Sequence, residues 1–243
     1  MKLIQVNIWG GKLGFPLIDF LIQEKPDFVC MQEVSHLPGH AGPLFVTLDE
    51  IRSETGFPHM AIAPLFACQF MKRKYQFCNA VISKLPFQNA SVTFTRGSYI
   101  EDFDAVENDM NIRNFQDLTV NIEGKTLHML NHHGHFVKGS KDGNDETMRQ
   151  MGLLADHIDG LEGPIILCGD FNLVQTSPSL QQINEKLTNL PVKYGLSNTY
   201  SEINIHQVVC DYIFVSNEIK VKSFSVAEKL VSDHKALILE FEL

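Results

Sequence analysis

Short apolar segments recur along the whole chain, and five of them run straight into polar residues able to do chemistry. Val6 leads into Asn7 and Trp9, and Val29-Cys30-Met31 into Gln32-Glu33. Met129-Leu130 leads into Asn131-His132-His133-Gly134-His135, and Ile166-Leu167-Cys168 into Gly169-Asp170-Phe171-Asn172. The last turn before the final apolar segment reads Ser232-Asp233-His234. Buried strands that open into loops at their ends are where rigid scaffolds hold functional side chains. That repeated arrangement points to an α/β fold built on strands, with its site at the strand exits.

The spacing between these segments supplies the order of elements. Residues 3–9 and 27–32 read as buried strands, with an amphipathic helix over 15–25 between them. Pro16 suits the first turn of that helix and Pro26 closes it. A Gly- and Pro-rich loop over 35–43 precedes a helix over 44–55. Strands are expected at 59–63, 77–83, 91–95, 112–121 and 126–132. A polar loop over 137–145, a helix over 146–159, a strand over 165–169 and a short helix near 178–187 come next. Strands at 208–215, 219–226 and 236–242 finish the order. Runs of strands with few helices between them predict mixed sheets. No linker-like segment and no repeat at a fixed period interrupts the chain, so residues 1–243 are read as a single domain.

Composition narrows the classes of function. No apolar run approaches the roughly 20 residues of a membrane-spanning helix, so no membrane is expected as a partner. The N-terminus enters a strand pattern at once, without the pattern of a secretory signal. Five cysteines show no CxxC pairing, and four lie in or beside apolar segments. Free thiols in a reducing, cytoplasmic compartment are the expectation. Twenty Lys and Arg against 29 Asp and Glu give a net charge of −9. That balance lowers the expectation of tight binding to a polyanion, although a small basic cleft on an acidic body stays open.

Taken one at a time, the polar clusters are ambiguous. Gly-Asp-Phe-Asn is a plausible turn, Ser-Asp-His a plausible cap, and three histidines in five residues equally a solvated loop or a metal site. Together, carboxylates, carboxamides and imidazoles at the exits of apolar strands form the inventory of a Mg²⁺-dependent phosphoryl site. Mg²⁺ takes hard oxygen ligands, usually one or two carboxylates, and keeps several waters. Zinc suits the set less well, because His132, His133 and His135 lack the spacing that puts two imidazoles on one helix face. The nucleophile elbow G-x-S-x-G, the P-loop and G-x-G-x-x-G are absent from the sequence.

With these motifs in this order, the chain resembles the endonuclease/exonuclease/phosphatase superfamily, the deoxyribonuclease I-like fold. The matching residues are Asn7, Gln32-Glu33, Asn131-His132-His133, Gly169-Asp170-Phe171-Asn172, Asp211-Tyr212-Ile213-Phe214 and Ser232-Asp233-His234. The strand and turn from Asn79 to Pro86 and the pair Arg149-Gln150 fit as well, so the likeness spans essentially the whole chain. The resemblance implies a four-layer α/β/β/α sandwich, two packed mixed β-sheets with helices on the outer faces. It further implies Mg²⁺, with Mn²⁺ as a substitute, held by Glu33 with Asn7 and Asp233 beside it. Asp170 would orient or deprotonate the attacking water, and Asn172 would hold a phosphoryl oxygen. His234, polarised by Asp211, would contact the phosphate, and His133 would stabilise charge or serve the leaving group. Asn79 would contact substrate, and Arg113, on the strand before the histidines, is read as a second substrate contact.

Some residues depart from the pattern or leave the substrate open. Trp9 stands where some nucleases of the superfamily carry a second acid, and His132 and His135 are additional. Lys72-Arg73-Lys74 reads as a solvated hairpin end or as an attractor of phosphorylated substrate. Arg113 is equally a phosphate contact or half of a structural salt bridge. Residues 101–109 carry five acids and no base, a segment that would repel a polyanionic duplex. No aromatic platform for stacking along single strands stands out. The expected activity is hydrolysis of a small phosphate ester. The alternative is a DNA or RNA nuclease, abasic-site and end-processing enzymes included. A binding module without catalysis is disfavoured by the intact residue set.

Overall fold

The computed structural model describes residues 1–38, 42 and 45–243. Its strands are β1 (Lys2–Asn7), β2 (Phe28–His36), β3 (His59–Phe70), β4 (Arg73–Ser83), β5 (Phe87–Arg96), β6 (Arg113–Ile122), β7 (Lys125–His133), β8 (Ile165–Asp170), β9 (Thr188–Asn189), β10 (Asp211–Val215), β11 (Lys220–Val226) and β12 (Leu237–Glu242). The longer helices are α1 (Gly14–Glu24), α2 (Leu48–Thr55) and α3 (Asp145–Asp159). Among the described residues the strands form two mixed sheets of six, ordered β11-β12-β1-β2-β4-β3 and β5-β6-β7-β8-β10-β9.

Period-two alternation decides which layer each side chain joins. Leu3, Phe28, Cys30 and Val81 point inward from the first sheet. They meet Leu118, Met129, Ile166, Cys168 and Ile213 of the second in the core between the sheets. The intervening residues Ile4, Val6, Val29 and Met31 face outward and are covered by Leu17, Phe20 and Leu21 of α1 and Leu48 and Ile51 of α2. On the far side, Leu130, Leu167 and Phe214 are covered by Met151, Leu154 and Ile158 of α3. The expected four-layer α/β/β/α order is therefore the observed one.

Local chemistry accounts for the helix boundaries. Thr47 and Glu50 form a reciprocal capping box at the start of α2, and Asn144 and Thr147 do the same for α3. α1 ends at Lys25 in the left-handed conformation, with Pro26 beyond it.

Several expectations are corrected. β2 does not stop at 32 but continues through a bulge to His36, so the expected loop over 35–43 starts late; residues 39–41 and 43 lie outside the described residues. The helix expected over 44–55 begins at Leu48, and residue 44 is likewise outside. β3 and β4 form one long hairpin turning at Met71-Lys72, both at positive φ, where strands were expected only at 59–63 and 77–83. The basic run sits at that tip, and Lys74 pairs with Glu101 and Asp102. The short helix near 178–187 is a 3₁₀ turn at Pro178–Leu180 followed by one helical turn at Gln181–Asn184. The strand expected from 208 starts at Asp211. All five cysteines are free and four are buried, and no helix among the described residues is long and apolar enough to cross a membrane.

Candidate active site

Strand direction brings the polar exits to one end of the sandwich. β1 and β2 run parallel, as do β7 and β8, so Asn7, His133 and Asp170 leave their strands together, beside Gln32-Glu33 at the β2 bulge. β10 runs antiparallel to β8 with Asp211 directly opposite Asp170. β12 runs antiparallel to β1, which returns the Ser232-Asp233-His234 turn to the same end. Gly169 is required in this arrangement, because a Cβ there would meet the His132 carbonyl at 1.8 Å. Phe171 is fully buried against His132, Tyr212 and Phe214, which anchors Asp170 and Asn172 on either side of it.

Asn7 joins the two sheets. Its Nδ2 donates to Glu33 Oε1 at 3.0 Å and to Asp170 Oδ2 at 3.1 Å, while its Oδ1 accepts from the Trp9 backbone N–H at 3.0 Å. Asp170 Oδ2 lies 3.8 Å from His133 Nε2 and 3.9 Å from His234 Nε2, and Oδ1 accepts from the Asn172 N–H at 2.9 Å. Burial alone would raise the Asp170 pKa, but His234, His133, Lys141 and the Asn172 N–H outweigh it and hold it at about 2. Glu33 sits at the β2 bulge with φ 54°, a left-handed conformation that turns its side chain out of the ladder. That side chain keeps 42% of its surface open, yet the packed cleft floor pushes its pKa up, and Asp170 and Asp233 add to the rise against Asn7.

His234 Nδ1 pairs with Asp211 Oδ2 at 2.8 Å. The same oxygen accepts from Thr199 Oγ1 at 2.7 Å, and Asp211 Oδ1 accepts from Gln5 Nε2 at 3.3 Å. The Tyr200 ring lies 4.6 Å from the His234 ring. Burial opposes protonation of His234, but Asp211 and Asp170 overcome it and raise its pKa well above the ordinary value. His133 goes the other way: burial and then Arg113 push it well below. Two imidazoles whose surroundings push their pKa values in opposite directions flank one carboxylate oxygen.

The donor set fits a hard divalent cation beside Glu33. Two carboxylates from different sheets point at one amide, the hard oxygen donors that such a cation takes. Asp233 is partly open, its carboxylate accepting from Ser232 and Asn204. A second group, Asp170, Cys210, Asp211 and His234, has ligand atoms within 4.8 Å of one another. Those atoms already hydrogen-bond to each other, and burial followed by Asp211 raises the Cys210 thiol to about 12. That group is a hydrogen-bonded dyad with a protonated thiol beside it, a poor cation site.

The remaining expected residues divide. Arg113 is buried and ion-paired with no carboxylate among the described residues; Nε donates to the Gly134 carbonyl and Nη1 to those of Met110 and Ile112. Burial lowers its pKa to about 10. It borders a cavity of about 170 Å³ with Glu33, His133, Leu65, Phe66 and Phe77. A larger recess of about 620 Å³ shares Phe66, Phe77 and Met110 and is edged by Phe103, Asp102 and Asp104. Phe66 stacks on Phe77 and Phe103, with ring centroids 5.0 and 4.0 Å away. Asn79 is fully enclosed between the sheets, donating to Asn114 Oδ1 at 2.8 Å, so it offers the cleft no surface. His132 is enclosed too, its pKa lowered to about 3 by burial and Arg113. His135 is half-buried, with its backbone N–H on Gln150.

Residues 4–234 match the model of the Endonuclease/Exonuclease/phosphatase family. The chain belongs to that family. No curated protein matches the sequence. Among solved structures, the chain is similar to an endonuclease/exonuclease/phosphatase family protein from Leptotrichia buccalis C-1013-b, at 18% identity and a TM-score of 0.74, over 100% of both chains. It is also similar to mannosyl-6-phosphatase from Bacteroides thetaiotaomicron VPI-5482, at 15% and 0.69 over 100% of both. A third is D. rerio TDP2 complexed with single strand DNA product, at 15% and 0.73 over 100% of this chain and 99% of that one. At these identities the likeness establishes the shared fold.

Sequence reasoning on this family member missed Gln5, Lys141, Thr199 and Tyr200. Gln5 had a signal, since it alternates with Leu3 and Asn7 on the inward face of β1. Lys141 donates to Asn172 Oδ1 from a loop that offered only polarity, and Thr199 and Tyr200 carry no local signature at all.

Proposed function

We propose that residues 1–243 work as one catalytic domain that hydrolyses a phosphate ester with Mg²⁺, or Mn²⁺ in its place, by attack of water at phosphorus. The observation that carries this is the meeting of Glu33 and Asp170, from opposite sheets, on the Asn7 amide, with the His133 and His234 imidazoles beside Asp170. Glu33 would hold the ion, with Asn7 and Asp233 beside it, and a bound divalent ion supplies positive charge to the phosphoryl oxygens.

The protein's own groups do the rest. Asp170 is ionised and weakly basic, so it orients the attacking water more than it deprotonates it. His234, fixed by Asp211, donates from Nε2 to a phosphoryl oxygen and is preorganised for the charge that develops there. His133 faces the leaving-group side beside the Arg113 cavity. Asn79 is assigned to packing and not to substrate.

The surroundings favour a compact ester with an apolar or neutral body over nucleic acid. The recess that shares Phe66, Phe77 and Met110 with the Glu33 cavity is walled by stacked phenylalanines, and Asp104 at its edge disfavours a polyanion. Four buried free cysteines support a reducing, cytoplasmic setting. The nuclease reading is the competing outcome. The deciding test is Mg²⁺-dependent hydrolysis of aryl phosphates, sugar phosphates, inositol phosphates, plasmid DNA and an abasic duplex, with Asp170→Asn as the blank. Turnover confined to small esters is expected. Cleavage of nucleic acid in preference to them would replace this reading with the nuclease, and no turnover on any ester would remove catalysis.

A further inference from the structure

We propose that Lys141 is a phosphate-binding residue that grips a terminal phosphoryl group on the Asn172 side of the site, making phosphomonoesters the preferred substrates. This rests on the phosphoesterase reading above and names its substrate class.

Lys141 lies between β7 and α3 in a loop pinned on both sides. Its carbonyl accepts from the Val174 N–H at 2.8 Å, and Ser177 Oγ donates to the Asp142 carbonyl at 2.6 Å. The side chain is half-buried. Its ammonium donates to Asn172 Oδ1 and lies 4.9 Å from the centre of the Phe136 ring and 5.8 Å from that of Tyr200. Lys141 makes no ion pair among the described residues, and its ammonium is held instead by a neutral amide oxygen and two ring faces. Ring faces attract the charge without neutralising it. A half-buried ammonium with donors to spare, aimed at Asn172 beside Asp170, is placed to receive an anion, and the anion this site is built to receive is a phosphate.

The position suits that ligand. Asn172 is two residues from Asp170 and donates its own N–H to it, and the Tyr200 ring that faces Lys141 also packs on His234. Lys141 therefore flanks the Asp170–His234 point. Arg113 approaches from another direction through the cavity it shares with Glu33 and His133. A diester offers two unesterified oxygens, which a cation held by Glu33 and the His234 donor would already satisfy. A terminal phosphate offers a third oxygen and nearly a second negative charge at neutral pH, and both answer a further cation. Lys141 is that cation.

The test compares wild type with Lys141→Met and Lys141→Arg. Binding of inorganic phosphate is read by calorimetry in the presence of Mg²⁺, without turnover. kcat/KM is read for an aryl phosphomonoester and the matching diaryl diester. Lys141→Met is expected to weaken phosphate binding about 10-fold to 100-fold, the size of a charge-assisted hydrogen bond. It should lower the monoester kcat/KM by at least as much and by clearly more than it lowers that of the diester, with Lys141→Arg keeping most of the phosphate affinity. Unchanged phosphate affinity in Lys141→Met, even with a lowered melting temperature, would reduce Lys141 to a loop anchor. A wild type that prefers the diester would overturn the substrate class. A wild type inert towards every ester would defeat the phosphoesterase reading instead, and the phosphate titration would still decide the role of Lys141.

Discussion

Asp211, the first residue of β10, lies directly opposite Asp170, the last residue of β8. The two carboxylates are register partners on an antiparallel pair, and His234 stands between them, 2.8 Å from Asp211 by Nδ1 and 3.9 Å from Asp170 by Nε2. One imidazolium therefore answers two buried acids. Asp211→Asn keeps the shape of the acceptor and removes its charge. We expect kcat to fall about 100-fold to 1,000-fold, in the range of a lost acid–base group. The His234 pKa should fall with it, as read by NMR titration of the ring. A His234 that titrates as in wild type would break the link between this pair and the rate.

Glu33→Gln removes one of the two carboxylates that converge on Asn7. The Mg²⁺ concentration for half-maximal rate should rise at least about tenfold, since carboxylates are the ligands Mg²⁺ prefers. Calorimetric titration of Mg²⁺ into the variant gives the same comparison without turnover. Equal metal affinity in the two proteins would take Glu33 out of the ligand set.

A buried chain of amides runs from the dyad through the interior between the two sheets. Gln5 donates to Asp211 and to Gln32 Oε1, Gln32 donates to Asn131 Oδ1 at 2.6 Å, and Asn131 donates to Gln116 Oε1 and to the Met31 and Ala80 carbonyls. Asn131→Leu leaves several of these groups unpaired in the dry core, each at about 1–3 kcal/mol. We expect a loss of about 3 kcal/mol or more in urea unfolding. A loss under about 1 kcal/mol would mean that water replaces the amide.

Stability should also depend on acid through Glu146. Arg149 holds this carboxylate through both oxygens from the next turn of α3, and with help from Gln150 lowers its pKa from 4.5 to about 2. A pKa depressed by folding adds stability above the unfolded value and loses it as pH falls toward the folded one. The urea-midpoint difference between wild type and Glu146→Gln should therefore be steady above about pH 5 and shrink from there toward about pH 3. A difference that stays constant across that window would show that the pair contributes through packing alone.

Much of this protein was determined locally. Alternation along β1, β2, β7, β8 and β10 puts Asn7, His133, Asp170 and Asp211 on inward faces at strand ends and Gln32 on the inward face of β2, because side chains in a strand change face at every residue. The same short-range chemistry set the capping boxes at Thr47 and Asn144. Periodicity says which face a residue takes but not what comes to meet it. The bulge that turns Glu33 outward, the enclosure of Asn79 by Asn114 and the three carbonyls around Arg113 depend on chain segments distant in sequence. So do the phenylalanine wall gathered from β3, β4 and the segment around Phe103, and the seat of Lys141 against Asn172 and Tyr200. Contacts of that kind form only when the two sheets close on each other, so only the tertiary structure decided them.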